Sequence, residues 1–114
     1  MAKIFKVGLL GCGGIAGAHA PGFMKASGLC EVAAVAEPNQ RRHGWIRETF
    51  GADVPIVDDY RKVLAIEEID AVDIVLPHDL HMQAAVDAAN AGKHVLTEKV
   101  MARNIWECDR MIEA

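Results

Sequence analysis

The chain has 114 residues, 52% of them hydrophobic and 25% charged, with a formal net charge of −4. These values suit one globular domain with one core and exclude a disordered chain. The acidic balance and scattered basic residues give no footprint for nucleic acid or an anionic membrane surface. No apolar run approaches the ~18 residues that span a bilayer.

The N-terminal stretch MAKIFKVGLLGCGG carries two lysines, but glycines break its apolar run, so it does not read as a signal peptide. Cys12, Cys30 and Cys108 are an odd count without Cys-x-x-Cys spacing. That pattern argues against a disulfide framework and a zinc site, and for reduced thiols in the cytoplasm.

Residues 4–10, IFKVGLL, read as a first strand ending in glycines. Residues 14–27 read as a helix closed by Gly28, with Pro21 inside it as a kink. CEVAAVAE, 30–37, is a second strand stopped by Pro38. Asn39 can cap a helix running to residue 50 and closed by Gly51. VPIV, 54–57, is a weak third strand, and Asp58 or Asp59 can cap a short helix to about Ile66. AVDIVLP, 71–77, is a fourth strand, apolar on both faces apart from Asp73. Asp79 can cap a helix ending at Gly92, and KHVLTE, 93–98, is the fifth strand. Asn104 with Glu107 three residues on opens a last helix, in which Ile105, Cys108 and Ile112 share one face.

Near-continuous apolar strands alternating with helices predict an α/β fold with a parallel sheet covered on both sides. Right-handed crossovers in a doubly wound, Rossmann-type layout give strand order 3-2-1-4-5. No sixth strand follows the last helix, so the fifth strand is expected to present an open apolar edge, through which the chain can self-associate.

The strongest local motif is GLLGCGGIAG. Gly11, Gly13 and Ala16 fit G-x-G-x-x-G/A at the first strand-to-helix turn. Gly11 allows the tight turn, Gly13 lets a pyrophosphate approach the backbone, and Ala16 permits close packing of helix on sheet. The helix N-terminus offers free N–H groups to phosphate. Glu37 ends the second strand roughly 20 residues later, where a carboxylate accepts from an adenosine ribose diol. A glycine loop of the kind that binds S-adenosylmethionine fits less well: Leu9 and Ile15 stand where such loops carry an acid and a third glycine.

Taken together, the glycine loop, EPN after the second strand, Asp59-Tyr60, Ile69 to Val72, Pro77 followed by His81, AGKHV, and Glu98-Lys99 occur in an order that resembles the Gfo/Idh/MocA oxidoreductases. The resemblance covers almost the whole chain. It implies a dinucleotide, NAD or NADP, held by Gly11, Gly13, Ile15 and Ala16, with Glu37 on the adenosine ribose. It implies that Pro77 and His81 border the nicotinamide half. Glu98 and Lys99 match the family's Glu-Lys-Pro motif, with Lys99 as the catalytic residue near the reacting carbon and Glu98 orienting it. Val100 replaces the family proline, and His78 the asparagine favoured after Pro77. His78 and His81 lack a third ligand for a metal.

The implied reaction is hydride transfer between NAD(P) and a hydroxyl or oxo carbon of a sugar, cyclitol or related small molecule. Family enzymes also carry a second, sheet-rich domain that binds substrate. Residues 1–114 are therefore expected to be the NAD(P)-binding domain of a longer enzyme, inactive alone. A stand-alone NAD(P)-sensing module is the alternative. Glu37 favours NAD over NADP by repelling a 2′-phosphate, against a pull from Arg41 and Arg42.

Overall fold

The computed structural model describes residues 3–114; Met1 and Ala2, which open the N-terminal stretch, lie outside it. Five strands form one parallel sheet: β1 (Phe5–Leu10), β2 (Cys30–Ala36), β3 (Ile56–Val57), β4 (Ala71–Ile74) and β5 (His94–Thr97). Their order is β3-β2-β1-β4-β5, as the alternation of apolar runs and helices predicts. The helices are α1 (Ala16–Lys25), α2 (His43–Phe50), α3 (Tyr60–Leu64), α4 (His81–Asn90) and α5 (Ile105–Glu113).

Alternation along the strands sends side chains into two cores. Leu10, Ala34, Ala36, Val72 and Ile74 meet Val63 of α3 and Ala84, Ala85 and Ala88 of α4 on one face. Leu9, Val35 and Val75 meet Cys12, Ala16 and Ile46 on the other, under α1 and α2. Gly8 lets α3 approach: a Cβ there would sit 2.4 Å from a Val63 methyl.

Several boundaries differ from expectation. α1 runs through Pro21 but ends at Lys25, with Ala26 as its cap; Gly28 does not close it and has no positive φ. Ala26 leaves helical geometry at φ −95° and ψ 16°, and its carbonyl accepts from Leu29 and Cys30 N–H, so the helix ends without a left-handed residue. Asn39 does cap, accepting from Arg41 N–H, but it opens a 3₁₀ turn, Gln40–Arg42, that leads into α2. Asp59, not Asp58, caps α3. Asp79 caps nothing: it lies inside a 3₁₀ turn, His78–Leu80, and α4 follows at His81. β3 has only two residues, because Val54 turns inward to the core and its N–H bonds to Gly51 O.

Asn104 Oδ1 accepts from Glu107 N–H as expected, and Glu107 reaches back to Arg103 N–H. The shared apolar face of α5 is not a buried one. Ile105 and Ile112 are 77% and 74% exposed, and Glu107 is the buried residue, paired with the Arg103 guanidinium.

Candidate functional site: a cleft at the carboxyl edge of the sheet

β1 lies between β2 and β4, so the chain leaves it in opposite directions on its two sides and opens a crevice beyond the strand ends. Gly11 begins the turn out of β1. It has φ +88°, and a Cβ there would lie 2.8 Å from the Val75 carbonyl oxygen. Its N–H donates to Ala36 O, tying the loop to β2. Cys12 is fully buried below the loop; burial pushes its thiol up, opposed by Arg42.

Gly13 and Gly14 face open space, with no atom within 4 Å of a built Cβ. The N–H groups of Gly13, Gly14 and Ile15 find no protein acceptor among the described residues. α1 starts there with no side-chain cap and no acid in its first turn. Such a terminus is an acceptor-seeking cradle suited to an anion. Ala16 is fully buried against the sheet, where only a small side chain lets the helix come close. Ile15 is half exposed and faces the neighbouring part of the cleft.

Glu37 sits one residue past β2 and is 8% exposed. Its Oε1 accepts from Cys12 N–H at 2.8 Å and its Oε2 from Asn39 N–H at 2.9 Å. It therefore staples the glycine loop to the β2–α2 connection. A carboxylate has about four lone-pair sites, so two acceptor positions remain for ligand hydroxyls. Arg42 closes the same side: Nε donates to Cys12 O at 2.8 Å, and the guanidinium stacks over Trp45 at 4.8 Å. His43 bonds the Glu37 carbonyl through its ring. Gly11, Gly13, Glu37, Arg42, Pro77 and Leu80 line a cleft of about 490 Å³. Arg42 enters it only because the chain folds back through the 3₁₀ turn, and Leu80 because of the second such turn; no sequence motif marks either.

A second recess of about 270 Å³ adjoins Ile15, Leu76, His78, His81, Glu98 and Lys99. The fully buried His81 faces carbonyl oxygens with both ring nitrogens: Nε2 to Leu76 O at 2.9 Å and Nδ1 to Val100 O at 2.7 Å. It ties the end of β4 to the turn after β5. Its polar atoms are thus engaged by the fold, not offered to a ligand. The His78 ring packs edge-on against it at 5.3 Å. No cluster of three metal-ligating side chains occurs among the described residues. The Lys99–Val100 peptide is cis.

Glu98 bonds the Lys99 backbone and not its ammonium. Its Oε1 lies 2.5 Å from His19 Nε2, and Oε2 accepts from the backbone N–H of Lys99 at 3.2 Å. Among the described residues the Lys99 ammonium has no ion-pair partner. His19 outcompetes it because Glu98 folds back under α1 toward buried Asp73. Sequence reasoning missed His19. The available signal was Asp73, a lone acid in an apolar strand that needs a cation or donor from the covering helix.

Comparison with known proteins agrees with this architecture. The family described as an oxidoreductase family with an NAD-binding Rossmann fold matches residues 5–114. An uncharacterized oxidoreductase of Rhizobium meliloti is 38% identical over 96% of this chain and 33% of its own length. The crystal structure of KijD10, a 3-ketoreductase from Actinomadura kijaniata in complex with TDP-benzene and NADP, superposes with a TM-score of 0.84. It is 33% identical over 97% of this chain and 34% of that one. WlbA dehydrogenase from Bordetella pertussis, in complex with NADH and UDP-GlcNAcA, gives a TM-score of 0.88 at 26% identity, over 97% of this chain and 34% of that one. The chain thus spans about a third of the length of these relatives. With its sheet order, its glycine loop and this match over nearly its whole length, the chain belongs to the Gfo/Idh/MocA oxidoreductase family, as that family's NAD-binding Rossmann fold.

Proposed function

We propose that residues 1–114 are the cofactor half of an oxidoreductase that moves a hydride between NAD(P) and a hydroxyl or oxo carbon of a sugar, cyclitol or related small molecule. The observation that carries this reading is the uncapped α1 terminus, with three N–H groups open to solvent beside the buried carboxylate of Glu37, in one cleft. A dinucleotide fits that donor and acceptor set: pyrophosphate on the glycine loop, ribose hydroxyls on Glu37. KijD10 and WlbA, which hold nucleotide-linked ligands beside NADP and NADH, support the substrate class. Their length supports a substrate-binding partner domain for the complete enzyme. Three free cysteines suit a reducing, cytoplasmic setting.

The nicotinamide supplies or accepts the hydride when the cofactor is bound. The chain's own residues do the rest. Gly11 brings the loop under the strand ends, and Gly13 leaves the space into which phosphate oxygens fit. The His81 tie holds the wall of the recess that receives the ring, and Pro77 lines the adjoining cleft. Lys99, whose ammonium at that recess has no ion-pair partner among the described residues, orients the substrate oxygen or passes it a proton. The buried Glu37 carboxylate opposes a 2′-phosphate, while Arg42 offers only the face left by its bond to Cys12 O, so NAD is the preferred cofactor.

Calorimetric titration with NADH and NADPH tests this. One site per chain, with NADH bound more tightly, is expected. No binding of either nucleotide, or NADPH bound more tightly, contradicts the cofactor assignment.

A further inference from the structure

β4 carries one carboxylate among apolar neighbours. Asp73 is 1% exposed and lies on the face covered by α1. A buried charge of this kind persists only when it is paired. His19 Nδ1 lies 2.6 Å from Asp73 Oδ2 and is the carboxylate's only side-chain partner among the described residues; Asp73 Oδ1 has none. The other ring nitrogen meets Glu98 Oε1, and Glu98 Oε2 takes the Lys99 N–H. A continuous line thus runs from the sheet interior to the turn that carries Lys99.

A neutral imidazole has one N–H, and here both nitrogens face carboxylates. Only the imidazolium donates to both. Burial pulls His19 down, but the hydrogen bonds to Asp73 and Glu98 outweigh it and hold the imidazolium above the ordinary histidine value. Burial pushes Asp73 up, against the pull of His19. His19 holds Glu98 below the usual carboxylate range, helped by the Lys99 N–H. The groove beside His19 is otherwise lined by Phe23 and Gly22 of α1, Cys30 of β2 and Leu96 of β5. Asp73 and Glu98 are the charged groups that face it.

We propose that His19 is a positioning residue, which clamps Glu98 against Asp73 and so fixes the backbone of Lys99 at the recess while leaving the Lys99 ammonium unpaired. Its functional meaning rests on the role of Lys99 given above; the clamp itself does not. Because His19 is raised in the folded chain, the clamp is complete below the folded titration point of His19 and is lost as pH rises through it.

Amide hydrogen exchange at Lys99, followed by NMR together with the ring nitrogens of His19, tests the clamp in the 114-residue chain. Lys99 protection is expected to fall about tenfold or more as His19 deprotonates, the loss of one charge-assisted contact. His19→Gln should remove that step and leave Lys99 weakly protected at every pH, with amides of β1 and α2 unchanged. Asp73→Asn should lower the His19 titration point and carry the step with it. A folded His19→Gln chain that protects Lys99 as the parent does overturns the proposal. Should that variant not fold, a Lys99 step that fails to track the His19 titration in parent and Asp73→Asn overturns it equally. Neither readout needs a nucleotide, so failure of the clamp and failure of the cofactor assignment are distinguishable.

Discussion

Glu37 is a ribose ligand by resemblance and a structural staple by geometry, and the second role sets what its removal does. Glu37→Ala deletes the acceptor of Cys12 N–H and of Asn39 N–H, at 2.8 and 2.9 Å. The residue is buried, so water replaces that acceptor poorly at Cys12. A hydrogen bond to a charged group contributes about 1.5–3 kcal/mol, and a stranded buried donor costs about 1–3 kcal/mol. With partial relaxation of the exposed Asn39 side, the expected loss is about 2–5 kcal/mol. At about 4 °C per kcal/mol for a domain of this size, the midpoint of thermal unfolding should drop by roughly 8–20 °C. Glu37→Gln keeps one acceptor oxygen but turns an NH₂ toward a backbone N–H, so it should lose part of the same stability. Thermal unfolding followed by circular dichroism, without nucleotide, measures both. A Glu37→Ala chain that melts within about 2 °C of the parent would refute the staple. Loss of NADH binding in this variant is therefore interpretable only below its own melting point.

Gly11→Ala places a Cβ 2.8 Å from a backbone oxygen at positive φ, and should cost more than about 2 kcal/mol in urea unfolding. Gly13→Val meets open space, so its stability should change by less than about 1 kcal/mol while NADH affinity collapses. Unchanged affinity would reduce the loop to a structural turn. Strand alternation turns the N–H groups of Val95 and Thr97 to the open side of β5, where Val95 and Leu96 are exposed. The 114-residue chain should therefore self-associate in a light-scattering concentration series. A monomer throughout, with slowly exchanging Val95 and Thr97 amides, would contradict this.

The strand order was legible because apolar runs end in turn residues and because right-handed crossovers leave few arrangements. Gly11, Gly13 and Ala16 were legible for a local reason: their spacing encodes a backbone shape. What the sequence hides is what depends on distant partners. Asp79 looks like a helix cap, yet the chain first makes a 3₁₀ turn and leaves it uncapped. Glu98 next to Lys99 suggests an ion pair, but the chain bends after β5 and a histidine 79 residues away takes the carboxylate. The α5 pattern shows which residues share a face, not whether anything covers it; Ile105 and Ile112 are exposed. Arg42 reaches the glycine loop from 30 residues away, by a turn no periodicity reveals.

The proposed site places one dinucleotide across the carboxyl edge of this sheet, from Glu37 through the glycine loop to Lys99. A ¹⁵N amide shift map of the chain titrated with NADH tests it most directly. Saturable shifts are expected at Gly13, Gly14, Ile15, Glu37, Leu80 and Lys99, and none in α3. Shifts confined to the exposed β5–α5 face, or no shifts at millimolar NADH, would contradict it.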